Sequence, residues 1–294
     1  MNTLRLQGLL FSVVALTTAL LSVVWMPLNP QHELWLATLL IVLLGVPHGA
    51  LDPIFAQTLL SIKSRLSWIV FVVAYVFLAA LVVVIWWFVP ALFLLIFLSL
   101  SVLHFSGDLA AGASFLSRFF YAGAVIVLPA ALHAAELDRL FSLLAGPSAA
   151  ALVLAALQFM AWPWLAALAW VVVKNARYDS FLALEILAVS VLALSASPLL
   201  AFSIFFCFMH SLRHILRTQL YAGVTLRGLA RVTIMPMFAV LVMAAAGWYG
   251  LPDAPIDERI VQLVFVALAA LTVPHMMLVE RVRLTGWQVG SSAR

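Results

Sequence analysis

The stretch FCFMHSLRHIL, residues 206–216, sets two histidines and an arginine inside an apolar run that extends from about residue 199 to 218. His210 and His214 are four residues apart, so on a helix they share one face, one turn apart. The run has the length of a membrane crossing, which takes about 20 helical residues for a hydrocarbon core of about 30 Å. A chain that places two imidazoles in such a run needs a reason for them.

The rest of the chain has the same apolar character. Of its 294 residues 66% are hydrophobic and only 9% are charged, whereas soluble domains carry roughly 25% charged residues. The apolar runs are solid and lack the period-two alternation of barrel strands. The fold class is therefore all-α, a polytopic integral membrane protein. Pro, Gly and charge punctuation divides it into about ten spans, near 7–26, 34–57, 67–88, 91–109, 116–133, 148–173, 181–197, 199–218, 231–250 and 260–281. Two of the breaks are tight turns, at Val89-Pro90 and Ser197-Pro198. The first run is too long for a signal peptide and lacks a small-residue cleavage site before Met26-Pro27. No hydrophilic segment or repeat divides the chain, so residues 1–294 read as a single transmembrane domain. The one cysteine, Cys207, leaves no intrachain disulfide and no thiolate metal site.

Charge placement tests the count. With a cytoplasmic N-terminus, ten spans put Arg5, Lys63, Arg65, Arg118, Lys174, Arg177, Arg213, Arg217, Arg227, Arg231, Arg281, Arg283 and Arg294 on the inner side. Only Arg139 and Arg259 fall outside, and a missed span would scramble that bias. Both termini are then cytoplasmic. The basic residues are topology signals instead of a nucleic-acid surface.

Seven histidines are distributed unevenly over these spans. His32 and His133 lie at outer helix ends and read as ordinary interfacial residues. His48, His104, His210, His214 and His275 lie on spans two, four, eight and ten, each in the last third or so of its span. All four spans run from outside to inside, so the five imidazoles share one depth. A lone membrane histidine more often bonds helix to helix. Five at one depth suit a pocket that binds a borderline metal such as iron, zinc or copper.

Three acids occupy the same band. Asp52 follows His48 by four residues in GVPHGALDP, and Asp108 follows His104 by four in HFSGD. Each could accept the second ring N–H of a ligating histidine, its own or a neighbour's, and fix its tautomer. Each could equally cap a helix end or meet an arginine. Glu185, one turn into span seven, could ligate a metal, support a ligand or pair with an arginine, and a supporting role is favoured over ligation. Arg213 is expected on another face of its helix, anchored at the cytoplasmic interface. Gly45, Pro47, Gly49 and Pro53 crowd His48, and Pro274 precedes His275, so bent or unwound backbone is expected beside a cavity.

The motifs GVPHGALD, HFSGD, HSLRH and TVPHMMLVE, in that order, resemble the Brp/Blh family of bacterial and archaeal membrane β-carotene 15,15'-dioxygenases. The resemblance runs from about His48 to Glu280. It implies an iron(II) cofactor, Fe(2+), held by four histidines that match His48, His104, His210 and His214. It makes His275 a residue that supports the ligands or faces the substrate. It implies cleavage of β-carotene by dioxygen at the central double bond, giving two retinal, in the inner (plasma) membrane. Delivery of retinal to a microbial rhodopsin is a further expectation from the family.

Other classes fit less well. A membrane di-iron desaturase or hydroxylase needs about eight histidines. A pair four apart on one helix cannot supply opposite axial ligands to haem. A metal or proton transporter needs polar groups through both halves of the membrane, and here the outer half is nearly devoid of them. An oxygenase or hydroxylase acting on another lipid or carotenoid stands as the alternative within the enzyme class.

Overall fold

The computed structural model describes residues 3–25, 28–110, 112–251, 253–284 and 286–287, and helix is the only regular structure among them. Met26, Pro27 and Arg294 of the sequence reading lie outside the described residues. Among the described residues, eight helices are long and apolar enough to cross a membrane: α1 (Thr3–Val24), α2 (Pro30–Leu59), α3 (Arg65–Phe88), α5 (Phe115–Leu132), α7 (Pro147–Ala176), α9 (Pro198–Ala222), α10 (Leu226–Gly250) and α11 (Ile256–Leu284). Two shorter apolar helices, α4 (Pro90–Phe105) and α8 (Ser180–Ser195), complete the ten expected positions.

Proline sets several of the starts. Pro30, Pro90, Pro147 and Pro198 occupy the first helical position, where a missing N–H costs nothing and the fixed φ is already helical. The two expected tight turns are there, with Val89 alone separating α3 from α4 and Ala196-Ser197 separating α8 from α9. Asp179 caps α8, accepting from the N–H groups of Phe181 and Leu182 at 3.1 and 3.3 Å.

One helix was not expected. Residues 134–145 form α6 (Ala134–Ala145) between the fifth and sixth spans. It is too short and too charged to cross, so hydropathy reads it as a loop. Its amphipathic pattern buries Leu137, Phe141 and Leu144. The indole N–H of Trp86 and the side-chain amide of Gln262 donate to its terminal carbonyls at Leu144 and Leu143, 2.8 and 3.1 Å away, satisfying acceptors a helix end leaves open.

The bundle is layered by burial. Helix α9 runs through the middle with 67% of its span buried, whereas α3 and α10 bury 6% and lie at the periphery. Two of the histidine-bearing helices are deformed where the histidines sit. In α2, Ile41–Gly45 is π-helical and Val46–Leu51 is 3₁₀. Pro47 has no N–H to continue the α ladder, and the Val46 N–H reaches back five residues to the Ile41 carbonyl. In α9, Phe205–Ser211 is π-helical. Such single π turns inside α-helices mark functional positions with high frequency.

Candidate metal centre

The two deformed segments face each other. A Cβ on Gly45 would lie 2.5 Å from the Phe206 ring edge, so only glycine lets α2 and α9 approach this closely. The approach brings His48 against His210 and His214, with ring centroids 4.9 and 5.4 Å apart. His104, one residue before the end of α4, lies 4.5 Å from His210. His275, next to Pro274 in α11, lies 5.2, 5.1 and 5.1 Å from His48, His104 and His214. All five imidazoles are buried, and they converge as the sequence reading expected. His32 is exposed, and His133 sits elsewhere, bonded to the Leu194 carbonyl at 3.1 Å.

In three of the rings hydrogen bonds fix which nitrogen carries the proton. His48 Nδ1 donates to the Gly45 carbonyl at 2.6 Å, with Ser211 Oγ 3.0 Å away. His210 Nδ1 donates to the Asp108 carboxylate, 3.0 and 3.1 Å from its two oxygens. His275 Nδ1 donates to Asp52 Oδ1 at 2.6 Å. Both acids therefore hold a histidine on another helix, and neither holds the one four residues before it. Tyr75, which the sequence reading missed, donates to the other oxygen of Asp52 at 2.8 Å. A tyrosine in the middle of the apolar run FVVAYVFLAA was the available signal.

What remains is a set of buried nitrogens with nothing to bond. His210 Nε2, His214 Nε2, His275 Nε2 and both nitrogens of His104 have no partner. A buried polar group left unpaired costs about 1–3 kcal/mol, and such groups call for an unseen occupant. His48, His104 and His275 offer ligand atoms within 4.8 Å of one another. Convergent unpaired imidazole nitrogens, two of the rings held from behind by carboxylates, are the donor set of a borderline transition metal.

Arg213 is placed differently from the expectation. It does not reach the interface but is 3% exposed. It bonds Glu185 through both η nitrogens at 2.6 and 3.1 Å and Gln7 Oε1 through Nε at 2.7 Å. The π turn leads there, because Gln7 in turn donates to the Phe208 carbonyl within it at 2.7 Å. Arg213 and Arg217 also donate to the carbonyl of Asp108 at 3.0 and 2.8 Å. Glu185 thus pairs with an arginine, and that arginine holds the turn that aims Asp108 at His210. Gly8 on α1 makes room, since a Cβ there would collide with the Glu185 carboxylate.

A cavity of about 480 Å³ opens on one side of the cluster, reaching His48, His104 and His275. Its walls are apolar, with Phe97, Phe105, Phe202 and Phe206 on the inner side. Val72 and Val76 of α3 and Met235 and Met243 of α10 line it and are also exposed on the outer surface. The mouth therefore opens between two peripheral helices toward hydrocarbon, not toward water.

No solved structure matches the chain. The β-carotene 15,15'-dioxygenase of uncultured marine bacterium 66A03 is 31% identical over 260 residues, covering 84% of this chain and 92% of that one. Residues 39–282, which include all five clustered histidines and both supporting aspartates, match the family described as β-carotene 15,15'-dioxygenase. That match spans the imidazole cluster and the residues lining the cavity beside it, and the chain belongs to the Brp/Blh family of β-carotene 15,15'-dioxygenases.

Proposed function

We propose that this enzyme cleaves β-carotene at its central double bond with dioxygen, giving two retinal, at an iron(II) centre held by His48, His104, His210 and His214. The observation that carries the reading is the set of unpaired, buried imidazole nitrogens at the inner end of an apolar cavity open to lipid. Iron(II) bound there would supply the one-electron chemistry with dioxygen that organic side chains lack.

The chain's own residues do the rest. Asp108 holds the Nδ1 proton of His210, and the Gly45 carbonyl holds that of His48, so each ring keeps its Nε2 lone pair for a ligand. The polyene has no polar group to recognise, so the protein contributes shape and position. It would enter from the bilayer between α3 and α10 and lie against the phenylalanine wall, placing one double bond beside the imidazoles. The same wall excludes water from the reacting carbons. The cavity volume lies within the usual range for small-molecule sites, about 300–1,000 Å³.

The basic ends of the helices are proposed to face the cytoplasm, in the inner membrane. Arg118, Arg217 and Arg283 gather at one end of the bundle, around the 106–110 turn. Retinal released into the bilayer would be available to a microbial rhodopsin.

The test is expression in a bacterial host that accumulates β-carotene, beside His210→Ala and His214→Ala variants, with chromatography of the extracted pigments. Retinal as sole product, formed only by the wild type and lost on chelation of iron, is the expected result. Apocarotenals of unequal length would move the cut, and unchanged β-carotene with folded, iron-loaded protein would overturn the substrate.

A further inference from the structure

His275 stands outside the four-histidine set, yet it is built like a member of it. Its Nδ1 is held by Asp52 at 2.6 Å as that of His210 is held by Asp108 at 3.0 Å. In both rings Nε2 is buried and has no partner. The support behind His275 is the more complete of the two, because Tyr75 closes the second oxygen of Asp52 at 2.8 Å and Tyr75 itself lies 3.4 Å from the Leu271 carbonyl. With His48 and His104, His275 forms the group whose ligand atoms all lie within 4.8 Å of one another.

The alternative place for His275 is as a wall of the substrate cavity, which it also lines. Chemistry separates the two. An unpaired Nε2 costs about 1–3 kcal/mol, and a hydrocarbon polyene carries nothing that could bond it. A metal ion can. We infer that His275 is a fifth imidazole ligand in this centre, with Asp52 and Tyr75 as the pair that positions it. The inference rests on the reading above that the cluster holds a metal.

The experiment is titration of the purified, metal-free protein with Co(II), read by its ligand-field absorption. The wild type is expected to bind one Co(II) with the weak bands of a five- or six-coordinate ion. His275→Ala should weaken binding at least tenfold and give the stronger bands of lower coordination, and added imidazole should restore the wild-type spectrum. Asp52→Asn should cost on the order of tenfold in affinity, and Tyr75→Phe a smaller factor, both at an unchanged melting point. These two variants carry the test should His275→Ala fail to fold. Wild-type affinity and spectrum in His275→Ala, or in both Asp52→Asn and Tyr75→Phe, overturn the fifth ligand and leave the four-histidine centre standing. No Co(II) binding by the wild type overturns both. A melting shift without a spectral change assigns His275 to structure alone and overturns the inference.

Discussion

Replacing Glu185 with glutamine removes the one negative charge bonded to Arg213 in the interior. The two side chains are 11% and 4% exposed and share two hydrogen bonds. Removing one partner of a buried pair costs about 3–5 kcal/mol, because the remaining charge is left uncompensated. Gln7 and the Asp108 carbonyl still accept from Arg213, and the new amide keeps one acceptor, so the lower end, about 3 kcal/mol, applies. At about 2–4 °C per kcal/mol, the melting point should fall by roughly 6–12 °C. Cys207 provides the assay: it is the only cysteine and is 2% exposed, so a thiol-reactive fluorophore reports unfolding. The double variant Glu185→Leu, Arg213→Met should recover most of the loss, since apolar replacement of a buried pair is often neutral or better. Retinal formation should stay on the order of tenfold lower in the double variant, because the Asp108 carbonyl has lost one of its two arginines. Glu185→Gln melting within about 2 °C of the wild type, less than a single kcal/mol, would refute the reasoning. So would a double variant that melts as low as the single one.

Three further outcomes follow from other contacts. Asp108→Asn should lower metal affinity about 10–100-fold by loosening His210, measured by metal titration; an unchanged affinity would remove Asp108 from the site. Gly45→Ala should cost about 1–3 kcal/mol through overpacking, because Phe206 is stacked between Phe202 and His210, with centroids at 5.3 and 5.7 Å, and would have to leave that stack; an unshifted melting curve would count against the close approach of α2 and α9. Ala239→Trp, at the cavity mouth on α10, should abolish cleavage of β-carotene while metal content and melting point hold, and a wild-type rate would show that the substrate enters elsewhere.

The convergence of the five histidines was legible because two independent signals coincide. Apolar run length gives the spans, the arginine bias gives their direction, and together they place five histidines of distant sequence at one level. The bend at His48 was legible too, since Gly45, Pro47, Gly49 and Pro53 leave the α ladder no means to continue. Helix α6 was not, because hydropathy asks whether a segment can cross and is silent on one that lies along the bundle. Arg213 was misplaced for a related reason. Hydropathy prices an arginine as if it were alone, and its partners Glu185 and Gln7 lie 28 and 206 residues away.

The pairing of acids with histidines shows where local spacing stops being informative. Asp52 and Asp108 each follow a histidine by four residues, the spacing that joins side chains on an α-helix. Yet the chain is not α-helical over either interval: Val46–Leu51 is 3₁₀, and α4 ends at Phe105 in a turn. With the i,i+4 relation broken, each carboxylate turns to the imidazole that tertiary packing brings near, His275 and His210. The exchange ties the centre together, because Asp52 joins α2 to α11 and Asp108 joins the α4 turn to α9. Each imidazole so held is fixed by a segment outside its own helix. The position of the nitrogens is then set by the packing of the whole bundle and not by the conformation of one segment, and that is what a site for an unfunctionalised hydrocarbon requires. The substrate brings no group that could pull a misplaced ligand into line.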